Sequence, residues 1–457
     1  MKPTPLLIAL SLFIILAGFV YYTGENPPDI NDESQPILQV EADKVRSISI
    51  LRPEYDSITI QQSDEPGWLF KAPHDTIRAD TSAASMIATS LTELSADRVV
   101  EENIDEWDLF GLQGTGTLRL DVTVDAGRSH TIVFGNDTPT GSGVFARLEG
   151  DSRLFIVPSY VKSSFEKEIF DLREKKLLQV AGDTVSSVVL SANKKSVAFG
   201  KTSAGDWQII KPGLLRADNY TVNDLVRSVS NVEMTAVLDG TTDSKGRYSF
   251  RRPMALVEII DEKGSHTLTV AKTRGGDEKY YAKSSDMVGT FEISSTATSS
   301  LDKKLDDFRN KKLFDFGFKN IARLDVRDDK TDLRIQKQGD AWRLASQNDR
   351  ELDSVKVQAL IDKLRNLTAT AYPSDRATDF ARYDLTKPIV EAKVTTEEGA
   401  IDEVVASFSR EDKAYAARRG QPSIYEVEVA TLKQIQAAIL DVLVPAEEES
   451  PSGEGTE

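Results

Sequence analysis

Cysteine is absent from all 457 residues. That excludes disulfides, thiol catalysis, cysteine metal sites and a lipidated N-terminal cysteine. An oxidising compartment stays open, because large domains need no such staples. Histidine is nearly as scarce, with only His74, His130 and His266. They lack His-x-x-x-His spacing and read as non-equivalent or strand positions, so metal chelation is not expected. Basic charge is in deficit, 56 Lys and Arg against 73 Asp and Glu, for a net charge of −17. That field repels nucleic acid and anionic lipid surfaces, and neither is an expected partner.

Long apolar runs are missing too, with one exception. LLIALSLFIILAGFVYY (Leu6–Tyr22) carries no charge. At ~1.5 Å per residue it just crosses a bilayer core, with Tyr21 and Tyr22 at the interface. A membrane anchor is favoured over a cleaved secretory signal, because the run is long for a signal and no clear Ala-x-Ala site follows. Lys2 precedes the run; Glu25, Asp29, Asp32 and Glu33 follow it, and the next basic residue is Lys44. Positive charge stays in the cytoplasm, so the expectation is a single pass through a bacterial inner membrane with the bulk on the periplasmic side.

What the sequence does contain is repetition. FDLREKKLL (residues 170–178) returns as DDFRNKKLF (residues 306–314), with Arg173 matching Arg309. Trp68, Trp207 and Trp342 recur at a similar interval. Asp80, Asp218 and Asp353 each precede a helical pattern, where a carboxylate can accept from free N–H groups. The helices share an apolar stripe: Ile87, Leu91 and Leu94; Leu225, Val229 and Val232; Leu360, Leu364 and Leu367. Alternating strands follow, then a closing helix with Phe165, Ile169 and Leu172, or Leu301, Leu305 and Phe308, or Ile435, Ile439 and Val442 on one face. The Arg-x-Lys-Lys stretch reads as a helix stop leading into the next unit's first strand, ILQV, LLQV or LFDF.

The expected fold is therefore α+β: three tandem repeats of a mainly antiparallel β unit with two helices each, after one N-terminal transmembrane helix. The layout is an anchor at 1–22, a polar linker at 23–36, repeats at 37–176, 177–312 and 313–444, and a disordered acidic tail at 445–457.

No motif assembles chemistry. Ser300-Leu-Asp-Lys303 fits Ser-x-x-Lys but lacks its companion motifs. GNDTPTGSG (Gly135–Gly143) lacks the Lys-Ser/Thr of a phosphate loop and reads as a hairpin. No catalytic, cofactor-binding or metal residue is nominated, and no cofactor is expected. The repeats differ most in the loop after the first helix. It is acidic in the first unit, with Asp105, Glu106 and Asp108, and basic in the second, with Arg251 and Arg252. Loops on a common scaffold are where specificity resides, so these are the candidate partner-binding residues. Arg418-Arg419 forms a further basic pair, expected to meet acidic loops or water.

The repeat columns resemble a bacterial family, domain of unknown function 4340. The resemblance rests on an N-terminal span, a Gly-Trp-like hairpin, an Asp-capped helix, and aromatic-x-Leu loops ending in Pro. These loops read Phe110-Gly111-Leu112 and Tyr383-Asp384-Leu385 running to Pro388; Tyr248-Ser249-Phe250 running to Pro253 departs. The resemblance implies a protein accompanying an ABC-type transporter or gliding-motility-type machinery, and carries no ligand residues. The expected function is a non-enzymatic binding or scaffold arm in a membrane complex with a protein partner. The alternative is an envelope glycan- or peptide-binding protein, or a hydrolase, with a cleft between units lined by Trp and Arg.

Overall fold

The computed structural model describes residues 35–445, except 64–66, 74–76, 115–116, 140, 239–247, 275–276, 346–348 and 410–411. The expected span, most of the linker and nearly all of the tail lie outside the described residues. Among those described, no helix is long and apolar enough to cross a membrane. The chain divides between Lys175 and Lys176 into two compact units. The first holds one repeat and the second holds two.

Each repeat is a nine-stranded antiparallel sheet. In the first, four strands run outward from the centre: Val45–Leu51, Ile58–Gln62, Trp68–Ala72 and Arg78–Ala79. Helix α1 (Thr81–Thr92) carries the chain to the opposite edge, Arg98–Glu101. Leu118–Val124 then pairs with Val45–Leu51 at the centre, and Ser129–Asp137, Gly143–Leu148 and Leu154–Pro158 fill the gap to that edge. The other repeats have the same order. Their central pairs are Ser187–Ala192 with Ala255–Asp261, and Ile321–Arg327 with Val390–Thr396.

One face of each sheet is apolar. Leu118, Leu120, Val122 and Val124 alternate with half-exposed residues along their strand, which places them on a single face. The crossing helices bury the expected stripe against that face: Ile87 and Leu91 on α1, Leu225 and Val229 on α4 (Asn219–Ser230), Leu360 and Leu364 on α5 (Ser354–Arg365). Their caps also form as expected. Asp80 accepts from Ala83 N–H at 2.9 Å, Asp218 from Thr221 N–H at 2.8 Å and Asp353 from Val355 N–H at 2.8 Å.

The closing helix departs from expectation. Only α6 (Val429–Asp441) is continuous. The first repeat breaks it into α2 (Ser159–Phe165) and α3 (Ile169–Leu172), and the second reduces it to the 3-10 turns Ser295–Thr298 and Leu305–Phe308. Hydroxyls compete for the backbone there: Ser164 donates to Val161 O at 2.6 Å and Thr298 to Ser295 O at 2.8 Å. Asp171 and Asp307 then accept from Glu168 and Lys304 N–H at 2.8 and 2.7 Å, which starts a separate turn. The α6 sequence is rich in Ala, Gln, Leu and Ile, and its one hydroxyl, Thr431, donates to the Glu428 carboxylate at 3.4 Å and not to the backbone.

The stretches after those turns are not strand entries either. Ile37, Leu177 and Leu313 each donate their N–H to the carbonyl just past the crossing helix, Leu94, Val232 and Leu367, at 2.9, 2.9 and 3.0 Å. The linker ends earlier than expected, because Gln35–Pro36 already pairs with Ser95–Ala96.

Candidate functional site

The aromatic-x-Leu loops form a second, smaller core on the opposite face of each sheet. Ile132 and Phe134 point into the main core, so Val133 between them points away. Leu112 covers Val133 and Leu154 there, joined by Trp107, Phe110 and Phe145. Leu385 does the same over Val405 and Ala417, and Tyr248 over Ala271 and Tyr281.

The loop geometry comes from its sequence. Leu112 N–H closes on Trp107 O at 3.1 Å and Leu385 N–H on Phe380 O at 3.0 Å. Between aromatic and leucine the backbone turns left-handed, at Gly111 (φ 66°) and Asp384 (φ 56°). Gly and Asp are among the few residues that enter that region readily. Ser249 does not adopt it, consistent with the second repeat's divergent motif. Gly135 is needed for a different reason: any side chain there would strike the Phe110 carbonyl.

These small cores hold up the nominated residues. Asp105, Glu106 and Asp108 are exposed around the 3-10 turn Trp107–Phe110 in the first unit. Arg251 and Arg252 are exposed beside Phe250 in the second. The two sets therefore belong to different units. Arg418 and Arg419 are not free for a ligand. Arg418 binds Asp402 at 2.6 Å, Asp315 at 3.2 Å and the Leu313 carbonyl at 2.5 Å. Arg419 pairs with Glu403 and lies 3.5 Å from Glu391.

Trp68, Trp207 and Trp342 are buried at equivalent strand starts. Trp207 Nε1 donates to Asn223 on α4 at 2.8 Å. They are core residues, which takes the tryptophans away from the cleft alternative. Ser300 is buried and Lys303 Nζ lies 3.4 Å from Asp224, so the Ser-x-x-Lys pair does not face a cavity together.

Sequence reasoning misread the Arg-x-Lys-Lys stretch as a simple helix stop. Arg309 is only 4% exposed. Its guanidinium lies 2.6 Å from Asp375, 3.6 Å from Asp306 and 3.6 Å from the centre of the Tyr372 ring. Burial pushes the Tyr372 phenol up to about 12, and the Arg309 charge only partly opposes that, so the ring stays neutral. Arg173 is likewise buried in the first unit, and burial pushes its guanidinium below the ordinary arginine value. The arginine recurs in both stretches, but so do Asp171 with Asp307 and both lysines, so the repeat did not single it out.

The stretch also works as a strap. Arg309 bridges Ala217, and Asn310 N–H reaches Arg216 O at 3.0 Å; three residues on, Lys312 bridges Thr368. One extended segment thus bonds the edge of the second repeat and the entry to the outer strand of the third. Arg216 adds contacts to the Lys312 carbonyl at 2.6 Å and to Asp315.

His130 and His266 lie in strands, one of the two placements expected, and at equivalent positions. His130, His266 and Asp402 pair with the matching core positions Val122, Ile259 and Val394. His266 sits between carboxylates, Nδ1 at 2.6 Å from Asp286 and Nε2 at 3.2 Å from Asp261. Burial pushes both carboxyls up. Donors outweigh it and hold them below the usual range: Lys263 N–H and His266 for Asp261, Gln179 N–H, Ser285 and His266 for Asp286. A depressed carboxyl contributes stability that is present above its unfolded pKa of about 3.9 and lost as pH falls through the folded value. Acid unfolding of the second unit should therefore begin below about pH 4, and His266→Ala should move its midpoint upward. Tryptophan fluorescence against pH checks this, and an unmoved midpoint would refute it.

Among the described residues no cluster of His, Asp or Glu could hold a metal ion. No match was found among curated proteins. A family model described as domain of unknown function (DUF4340) matches three times, at residues 68–245, 207–388 and 342–447. Each match starts on one of the buried tryptophans, in the third strand of a repeat, and the first two run on past the crossing helix of the next repeat, so the family pattern recurs once per repeat but is offset from the nine-stranded sheet. The matches together span most of the chain, and the protein belongs to the DUF4340 family.

Proposed function

We propose that the chain is a single-pass envelope protein, held in the bacterial inner membrane by Leu6–Tyr22 with its repeats on the periplasmic side. The repeats form a non-enzymatic binding arm of a membrane complex, accessory to an ABC-type transporter or gliding-motility-type machinery. One observation carries this reading: the columns shared by the repeats are core, cap and strap residues, while charge changes in the loop raised on the small outer core. Repeated scaffolds offer extended surfaces without needing chemistry in each unit.

The test exchanges charge in two loops. One variant turns Asp105, Glu106 and Asp108 to Lys; the other turns Arg251 and Arg252 to Glu. Exposed sites of this kind should leave stability within about ±0.5 kcal/mol per change. Recovery of co-purifying membrane proteins in mild detergent should fall, most at low salt, since exposed charges are screened beyond about 10 Å at 0.1 M. Full recovery by both variants would exclude the loops. Hydrolysis of a cell-wall glycan or peptide by the purified protein would exclude the non-enzymatic reading.

A further inference from the structure

The second and third repeats each use a carboxylate to hold the segment that enters them. In the second, Gln179 N–H, two residues past Leu177, donates to Asp286 at 2.7 Å, and His266 Nδ1 lies 2.6 Å from the same group. In the third, Asp315 N–H, two residues past Leu313, donates to Asp402 at 2.6 Å, and Arg418 donates to that group at 2.6 Å. The first repeat keeps the N–H and a basic ring but has no acid to match. Gln39 stands two residues past Ile37, and His130 takes the place of His266 and Asp402. Leu148 faces Ile132 as Ser284 faces Leu268, so the place of Asp286 falls to Gly150. Val124 takes that of Asp261. Among the described residues, neither the Gln39 N–H nor the His130 ring has a hydrogen-bond or ionic partner. Both Gln39 and His130 line a hollow of about 650 Å³, with Lys44 and Arg128. Arg128 has no ionic partner among the described residues, and Lys44 reaches only Asp43, at 4.0 Å. Two acids share the lining, Glu41 and Asp125, and Asp125 is already bound by Arg46 at 2.6 Å.

We propose that this hollow of the first repeat binds a carboxylate ligand, which accepts from Gln39 N–H between the His130 ring and the Arg128 guanidinium. The other two repeats select the chemical class. In both, the matching N–H bonds a carboxylate, and a basic side chain lies on that carboxylate. Bonds from such donors to a charged oxygen are the stronger kind of hydrogen bond. Glu41 in the lining narrows the choice, because it repels a doubly charged phosphate more than a singly charged carboxylate. Two sources offer the group. One is the set of acids that precede the described residues in the same chain, Glu25, Asp29, Asp32 and Glu33; the other is a separate carboxylic acid. The rival reading is a pair of solvated surface cations that hold nothing. The carboxylate site needs neither the loop surfaces nor the membrane anchor proposed above.

The probe is sodium acetate, titrated against sodium chloride at equal ionic strength. The full-length protein is held in detergent micelles and isotopically labelled on histidine rings and glutamine amides for NMR. The His130 and Gln39 signals are assigned by their loss in His130→Gln and Gln39→Asn. A second chain carries Glu25→Gln, Asp29→Asn, Asp32→Asn and Glu33→Gln together, which removes the first source. In that chain acetate should shift both signals along one saturating curve, and chloride should not. His266, whose carboxylates are in place, should stay still. Arg128→Gln, a change at an exposed side chain, should weaken the acetate response at least about fivefold. If the parent protein responds to acetate as the quadruple variant does, the ligand is a separate acid. If the parent already shows the acetate-saturated positions and does not move, its own acids fill the site. Both results support the proposal. No acetate shift in the quadruple variant, equal shifts with chloride, or a full response after Arg128→Gln overturns it and leaves the solvated cations.

Discussion

Phe308→Ala should lower the stability of the second unit by about 3–5 kcal/mol, the range for emptying a fully buried aromatic site. The ring has no exposed surface and lies 4.9 Å, centre to centre, from that of Phe199. It belongs to a single capped turn held by Asp307, so little else fixes the strap that follows. Lys311→Ala, three residues on, should fall within about ±0.5 kcal/mol, because that side chain is exposed. Denaturant unfolding followed by tryptophan fluorescence separates the two, since Trp207 and Trp342 both lie in the second unit. Equal loss from both changes would mean that the lysines, and not the apolar turn, hold the strap.

Asp375→Ala should cost about 2–4 kcal/mol, somewhat below the usual range for stranding a buried charge, since Asp306 remains near. The damage comes from the arginine left behind: Arg309 is buried and cannot shed its proton. Adding Arg309→Met to Asp375→Ala should therefore restore much of the loss, because an apolar side chain of similar length removes the stranded charge. A double variant as unstable as the sum of the two single changes would show that the pair is not coupled.

The features that were legible in the sequence are local ones. A capping aspartate acts within its own turn, and an apolar stripe at gaps of four and three belongs to one helix, so Asp353 and Leu360 could be read without neighbours. The closing helices failed because the same spacing also suits a capped turn, and Asp171 and Asp307 had to be recognised as competitors for the backbone. Two-residue strands such as Arg78–Ala79 are too short to show alternation. The burial of Arg309 depends on Asp375 and Tyr372, which are distant in sequence and brought close only by the strap. The nominated loop residues were placed on exposed loops, but nothing in their own sequence showed the small core that supports Asp105, Glu106 and Asp108.

The strand order has a consequence for how each repeat folds. Val45–Leu51 to Arg78–Ala79 is a run of neighbouring hairpins, and Leu118–Val124 to Leu154–Pro158 is another. Each can form from contacts close along the chain, on the microsecond scale of hairpins. They meet only where Val45–Leu51 pairs with Leu118–Val124, which closes a loop of roughly 65 residues. That central pairing, with the edge pairing of Leu154–Pro158 on Arg98–Glu101, is the slow, high-contact-order event. Side chains astride it, such as Ile48 and Val122, should set the folding rate, while the outer hairpins should mainly set the rate of unfolding.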